Sequence, residues 1–542
     1  MLYKRLIALC DGTWQSSFYY SSVPSNVTRI ARALNSTGLD RDGNEVAQVT
    51  YYHGGIGSRS QGMDKIIEGA MGFGFVDDIR EVYGFIAYNY SPGDEVFFFG
   101  FSRGAFTARS VSSFVTDFGI LTPAGMAEFV PLFNRYQQGE FTCGPYETDE
   151  RKAQCHMNLK AEHERLGNLI VTPANITVKV IGCFDTVGAL GIPRQYNVQL
   201  KLSQQYDFLS LTLSSNVQNA FHALALDETR EAYRPTLWFL DESNKVTNLQ
   251  QMWFTGVHIN IGGGNIGVNV HGSNLLKLRT ADGVPPNVLA DGPLIWMISQ
   301  CQPFLSFSLE YLHADVHSGF SLSDGSIAAY GTHEMVPYQD WYRGPIASNF
   351  VGWQGLVSMA VMGVQRRIVG QTQPAKASSY MLPLIDRLGY LYVIRPQERK
   401  TTTGRRWYTN ETVHCSVLRR RELTHKWNVA LAKLDFLEPH NLPGITHHLG
   451  YFQRRPSMRS PDPGPVVPIV NLNEFEDRFW LQERETLNKL PPSSATVWLN
   501  DSRRRREPVQ ARKWEKTPQT NPVVILMVIL AQTLLRLAKM LL

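Results

Sequence analysis

Cysteine is scarce in this chain: six residues among 542, with no two in a C-x-x-C pair. That excludes a disulfide-stapled scaffold and a cysteine-type zinc site. Cys10 and Cys183 lie in apolar, strand-like runs, where a thiol behaves as a small buried hydrophobe. Glycine and proline (43 and 29) show no three-residue period, which rules out a collagen-like structure, and there is no internal repeat. Charge excess is small, with 53 basic against 48 acidic residues and a net +5. Residues 501–520 alone carry seven basic against three acidic side chains, so the body of the chain is nearly neutral and lacks the electrostatic footprint of a nucleic-acid binder. A long hydrophobic leader is missing too. The apolar run Leu6–Cys10 is short and meets Asp11-Gly12 at once, so it reads as a first strand and not as a signal peptide. With the sparse cysteines, this gives the expectation of a cytoplasmic protein, free or held at a membrane.

What is present is a hydrophobic fraction of 43% with 19% charged residues, ordinary for a globular fold. Through residue 190, strand-like and helix-like segments alternate. Leu6–Cys10, Val46–Tyr52, Glu95–Gly100 and Val171–Phe184 are apolar runs, and helical spacing appears from Asn26 and over Phe75–Tyr88. Runs that are apolar throughout, alternating with helices, predict an α/β fold with a mostly parallel sheet covered on both faces. Residues 203–250 read as largely helical, and Gln251–Ile261 as strand. The expected organisation is an α/β domain over 1–395, with 119–170 as an insertion or cap over the sheet. An extension packed on that domain covers 396–455. A linker follows over 456–520, proline-rich (five prolines in 456–468) and then basic, and 521–542 is an apolar C-terminal helix; the tail is expected to be partly disordered.

Val523–Leu535 is apolar except for Gln532 and Thr533, shorter than the roughly 20 residues of a spanning helix. Two readings stand. The segment anchors or docks at a membrane, helped by the basic cluster Arg503–Arg506, or it packs as an ordinary terminal helix.

The sharpest chemical signal is Gly100-Phe101-Ser102-Arg103-Gly104, a G-x-S-x-G placed between a buried-type strand and a helix. That is the context of a nucleophile elbow. Ser102 would occupy a strained turn that lifts its hydroxyl above the strand ends. Gly100 and Gly104 relieve crowding where strand and helix nearly collide, and the helix start aims the Arg103 N–H at a developing oxyanion. Such a serine needs a base and an acid, which in α/β-hydrolases follow in the order Ser, Asp or Glu, His. Val178–Phe184 runs into Asp185, and Trp253–Val257 into His258 with Gly262-Gly263-Gly264 beyond, so Asp185 is the expected acid and His258 the expected base. A second oxyanion donor is expected after the first strand, from Gly12 or Thr13. Asp11 would cap a turn or tune the site, and His53-Gly54-Gly55 would form a lip of the pocket. His222, read as helical, is assigned to packing or the pocket wall, and Asp227 is the rival acid. The pair His447-His448 lacks a nearby carboxylate and is not read as a metal site. Neither a metal nor another cofactor is required.

Several ordered stretches resemble one family. These are Cys10-Asp11-Gly12-Thr13-Trp14, Asp78-Ile79-Arg80-Glu81, Ser91-Pro92-Gly93-Asp94, Gly100–Ala105, Cys183-Phe184-Asp185-Thr186-Val187, His222–Arg230 and Gly256-Val257-His258. Together they are similar to the α/β-hydrolase family of type VI secretion phospholipase effectors and their fungal and bacterial relatives. The likeness spans about residues 3–300, with weaker echoes near Asp291–Met297 and Asn410–Leu418. It implies an α/β-hydrolase fold, Ser102, Asp185 and His258 on the matching catalytic positions, and phospholipase A-type hydrolysis. One departure is visible: the family often carries Ser-Asp after the histidine, where this chain has Ile259-Asn260.

The expectation is a serine hydrolase acting on a carboxylic ester, with a lipid substrate implied by the resemblance. The rivals are a small-ester esterase or thioesterase with the same three residues, and a non-catalytic membrane-associated scaffold. Partners are expected to be the ester substrate and a membrane surface, not nucleic acid.

Overall fold

A computed structural model describes residues 3–12, 24–55, 75–142, 148–187, 213–230, 233–241, 243–264 and 288–318, and shorter segments between 346 and 480. The chain divides into one unit over Met1–Glu485 and a second over Thr486–Leu542. The second unit, which contains the expected basic cluster and apolar helix, lies outside the described residues.

Strand β1 (Arg5–Cys10) is buried at every position, as its uninterrupted apolar run requires of a sheet covered on both sides. It lies between β3 (Glu45–His53) and β4 (Glu95–Phe101), parallel to both, and a short β2 (Thr37–Leu39) runs antiparallel on the outer side of β3. On the other side of β4 follow β7 (Val178–Phe184), β8 (Val217–Ala225), β10 (Asn248–Phe254) and β12 (Glu411–His414), all parallel. β15 (Val467–Val470) pairs parallel to β12, and β14 (Gly450–Arg454) and β13 (Leu434–Leu437) complete the sheet antiparallel. Among the described residues, eleven strands thus form one mixed, mostly parallel sheet; outside it β5 (Ile120–Leu121) pairs with β6 (Ile170–Val171), and β9 (Leu240–Asp241) with β11 (Trp407–Tyr408). This is the α/β-hydrolase arrangement expected from the sequence.

Helices cover both faces. On one face α2 (Phe75–Asn89) and α3 (Ser102–Asp117) bury Ile79, Val82, Ile86, Ala105 and Ala108 against Leu6, Ala8, Val96 and Phe98. On the other, α7 (Asp291–Cys301) puts Trp296 edge-on to Phe221 and Phe254, and Met297 over Gly182. α1 (Asn26–Ala33) lies beside it, with the Arg29 guanidinium paired to Asp291 and to Asp315 on α8 (Leu309–Ser318). Phe97, Phe98 and Phe99, side by side on β4, are fully buried on alternating faces. Each adds about 1.5–3 kcal/mol over an exposed position.

Three expectations are corrected here. The segment read as largely helical over 203–250 carries β8, β9 (Leu240–Asp241) and the start of β10 in its described part. Its alanine-rich stretch Ala220–Ala225 has helical propensity but is buried on both faces in mid-sheet, and packing outweighs propensity. The described residues of 119–170 do not cap the strand ends. α4 (Phe129–Gln137) packs Phe129, Phe133 and Tyr136 around Phe114, about 18 Å along α3 from Ser102. In the same insertion α5 (Asp149–Leu166) sets His163 edge-on to Phe118. Finally, Val467–Val470, placed in the linker on its proline content, is a strand of the central sheet. Pro468 faces Tyr451 of β14, and pairing with β12 begins only at Ile469, so the missing N–H interrupts no bond to β12.

Candidate active site

The sharp turn from β4 into α3 puts Ser102 in the left-handed region at φ 58°. A non-glycine residue there is strained, and such strain is found where structure holds a side chain for use. The flanking glycines are demanded by contact. A Cβ on Gly100 would collide with the backbone of Ala105, and one on Gly104 with the carbonyls of Cys10 and Asp11. The helix start therefore touches the end of β1, which brings the Asp11-Gly12 loop beside Ser102. The Arg103 N–H is among the first four of α3, the amides a helix leaves without an internal acceptor.

β7 ends at Phe184, and Asp185 follows in another left-handed conformation, φ 40°. It is fully buried. Its backbone N–H donates to the Ala223 carbonyl at 2.7 Å, and its Oδ1 accepts from the Ala225 N–H at 3.0 Å. β10 leads through Thr255-Gly256-Val257 into the short helix α6 (His258–Gly262). His258 Nδ1 lies 2.7 Å from Asp185 Oδ2, and His258 Nε2 lies 2.8 Å from Ser102 Oγ. With the carboxylate accepting from Nδ1–H, Nε2 is left as the acceptor for the serine hydroxyl. Three residues separated by 73 and 156 positions in sequence thus form one hydrogen-bonded chain across the ends of β4, β7 and β10, strands of one sheet with β8 between the last two. Burial pushes the His258 pKa below the ordinary histidine value, against the pull of Asp185 toward the charged form.

The Phe101 ring packs 4.8 Å from the His258 ring, and Tyr233 stands edge-on to the other side at 4.8 Å. Phe101 needs room: a Cβ on Gly12 or Gly262 would strike its ring. The backbone N–H of His258 donates to Glu228 Oε2 at 3.2 Å, and Arg230 grips the same carboxylate at both oxygens, 2.9 and 2.8 Å. The guanidinium of Arg230 lies on the Tyr233 ring, 3.5 Å from its centre. Glu228, Arg230, Tyr233 and Phe101 were assigned no part in the sequence reading. Glu228 and Arg230 lie in the stretch His222–Arg230, and Phe101 in Gly100–Ala105, both of which carry the family resemblance; Tyr233 had no such signal.

Other sequence candidates fall into supporting places. Asp11 is buried and accepts four hydrogen bonds: from Ser25 Oγ (2.6 Å), Tyr52 OH (2.6 Å), Thr28 Oγ1 (2.8 Å) and the Gly12 N–H (2.7 Å). It ties the loop after β1 to the start of α1, where Ser25 is the N-cap, and to β3. Burial nevertheless raises its pKa, the four donors opposing that rise. The Gly12 N–H, expected to face an oxyanion, is thus held by the neighbouring carboxylate, which turned the amide inward. Thr13 lies outside the described residues. His53 sits at the end of β3, two strands or about 10 Å from Gly100, and pairs with Asp78 and Glu81 on α2.

His222 is on strand β8 and not on a helix. It is fully buried, accepts the Thr186 N–H on Nε2 at 3.1 Å, and meets Gln251 Oε1 with Nδ1 at 3.2 Å. Trp238 stands edge-on to it, and the Arg109 guanidinium lies over Trp238. His222 therefore buttresses the turn that carries Asp185. Asp227, the rival acid, accepts from the Gly256 N–H at 2.7 Å and so holds the loop that leads to His258. Asn260, at the departure from the family pattern, is buried and accepts the Val257 N–H on Oδ1 at 3.1 Å. An amide oxygen meets that need as a carboxylate would. Among the described residues no group of three or more His, Cys, Asp or Glu side chains could hold a metal ion; His447 and His448 lie outside them.

Residues 4–300 match the family described as the type VI secretion system phospholipase effector Tle1-like catalytic domain. The chain belongs to this family. Its matched stretch contains every residue of the hydrogen-bonded chain and each of the supports just described. An uncharacterised protein of Saccharomyces cerevisiae, YEL023C, is 25% identical over 270 residues, 45% of this chain and 36% of that protein. An uncharacterised protein from Pseudomonas aeruginosa of known crystal structure is 14% identical over 57% of this chain and 47% of its own, with a TM-score of 0.31. The Tle1 effector, solved bound to the VgrG spike of the type VI secretion system, is 18% identical over 49% of this chain and 52% of its own, with a TM-score of 0.26. The chain thus spans about half or less of the length of these proteins.

Proposed function

We propose that this Tle1-like domain is a serine hydrolase that cleaves the carboxylic ester of a phospholipid through an acyl-enzyme. The observation that carries the proposal is the chain Ser102–His258–Asp185 with its 2.8 and 2.7 Å links. In this reading His258 Nε2 takes the Ser102 proton as Oγ attacks the ester carbonyl. Asp185 holds the imidazole in the required tautomer and stabilises its cation. The oxyanion forms beside the Arg103 N–H at the positive end of α3, with the loop after β1 alongside. His258 returns the proton to the departing alcohol, and water, activated by the same base, releases the acid. The depressed pKa keeps His258 neutral, and so competent as a base, to a pH below the ordinary histidine range.

Lipid as the substrate class is supported by the family membership. The basic cluster Arg503–Arg506 and the apolar run Val523–Leu535 add a means of meeting an anionic bilayer, so the protein is proposed to work at a membrane surface on the cytoplasmic side. Release of fatty acid from mixed phospholipid vesicles, wild type beside Ser102→Ala, tests the function. Release that vanishes in Ser102→Ala is expected. A wild type that hydrolyses only short soluble esters or thioesters overturns the lipid assignment, and one inert to all esters overturns the hydrolase. Deleting 521–542 is expected to reduce vesicle binding in a flotation assay; undiminished binding contradicts the membrane role of the tail.

A further inference from the structure

The residue after the nucleophile is an arginine whose side chain is in no ion pair among the described residues. Arg103 is partly exposed, and its guanidinium makes no hydrogen bond or ion pair among the described residues. Of the other cations nearby, Arg230 is bound bidentate to Glu228, and Arg109 donates to the carbonyls of Thr236 and Leu237. Asp78 and Tyr233 are the groups that act on its charge. Asp78 is paired with His53, and Tyr233 packs on Arg230 and His258. Burial pulls the Arg103 pKa down to about 10, outweighing the opposite pull of Tyr233 and Asp78. The first turn of α3 contains no acidic residue, so the positive helix end adds to the same field.

A guanidinium drawn partly out of water with no direct ion pair is unfavourable, and it is stabilised by an anion that arrives with the ligand. Arginine presents parallel N–H donors that fit a phosphate at two oxygens. In a glycerophospholipid the phosphodiester is joined to the scissile ester through the glycerol backbone alone, so a phosphate bound beside Ser102 brings the carbonyl to the hydroxyl.

We propose that the Arg103 side chain is the anchor for the substrate's phosphodiester, making this site selective for phosphate-bearing esters over neutral glycerides. The inference rests on the hydrolase reading of Ser102. It assigns Arg103 two separable parts, since its backbone N–H faces the oxyanion whatever the side chain.

The test compares phosphatidylglycerol with diacylglycerol of the same acyl chains, both in neutral detergent micelles, for wild type, Arg103→Lys and Arg103→Met. The quantity read is the ratio of kcat/KM on the two lipids. That ratio is expected to fall about 10- to 100-fold in Arg103→Met, as for the loss of a charge-assisted contact, and less in Arg103→Lys. The loss should lie mainly in KM for the phospholipid. A ratio unchanged in Arg103→Met, with both lipids losing alike, overturns the anchor. Fluorophosphonate labelling of Ser102 is measured on each variant. Labelling with an unchanged ratio sinks the anchor alone, whereas a folded wild type that neither labels nor hydrolyses sinks the hydrolase reading beneath it.

Discussion

The carboxylate of Glu228 accepts the backbone N–H of His258 at 3.2 Å while Arg230 holds it at both oxygens. His258 is thereby fixed twice, at its imidazole by Asp185 and at its backbone by a carboxylate whose charge is already matched. The two charges act on the imidazole in opposite senses: Glu228 favours the cation, and Arg230 disfavours it. Replacing Glu228 by Gln is expected to leave Arg230 unopposed, lower the His258 pKa further and reduce kcat about tenfold. The pH profile of kcat decides it. The acid limb should move to lower pH, and an unmoved limb would show that Glu228 only supports the fold.

Asp185→Asn keeps the size of the acid but removes its charge and favours the wrong imidazole tautomer. A fall in kcat of about 10³- to 10⁴-fold is expected, with KM little changed, as steady-state kinetics on one soluble ester can show. Asp227→Asn, at the rejected alternative, should lose far less. Comparable losses would reopen the assignment of the acid.

The aromatic ring of Phe101 sets the need for glycine at 12 and 262, positions far apart in sequence. Gly262→Ala is expected to destabilise by about 1–3 kcal/mol, measured by urea denaturation, because its methyl group meets the ring. Phe101→Leu in the same chain should recover part of that loss, since the two substitutions share one contact. Additive losses would contradict the packing.

The pKa of Asp11 is raised by burial, so the sign of its linkage to stability is defined. Its contribution is fully present below the ordinary aspartate range, near 3.9, and is lost as pH rises through the elevated folded value. Asp11→Asn should therefore flatten the pH dependence of stability above pH 4. Asp11→Ala, which strands three hydroxyls and an amide, is expected to destabilise by about 2–4 kcal/mol at pH 7. Thermal unfolding across pH separates the two variants, and equal behaviour would contradict the hub.

The site was legible where chemistry leaves a local mark. Gly100, Ser102 and Gly104 stand within five residues, and Asp185 and His258 each end an apolar run. The mostly parallel sheet was legible from the apolar runs of β1, β3, β4 and β7, but its order was not, since β8 was read as helical. The segment Ala220–Ala225 misled because alanine favours helix locally, whereas burial on both faces of the sheet decided the outcome. Glu228 and Phe101 were given no role for another reason: their importance lies in what they touch across 30 and 157 positions of sequence. The Gly12 amide shows the converse. Its place in the chain suited an oxyanion donor, but the adjacent Asp11 carboxylate captures it.

The most direct test of the account is the fluorophosphonate adduct itself, located by tryptic mass spectrometry on the full-length protein. One adduct on Ser102 is predicted, absent from Ser102→Ala and strongly slowed in His258→Ala. An adduct elsewhere, or a folded wild type that takes up no label while a known serine hydrolase in the same tube does, would contradict the claim that Ser102 is the nucleophile.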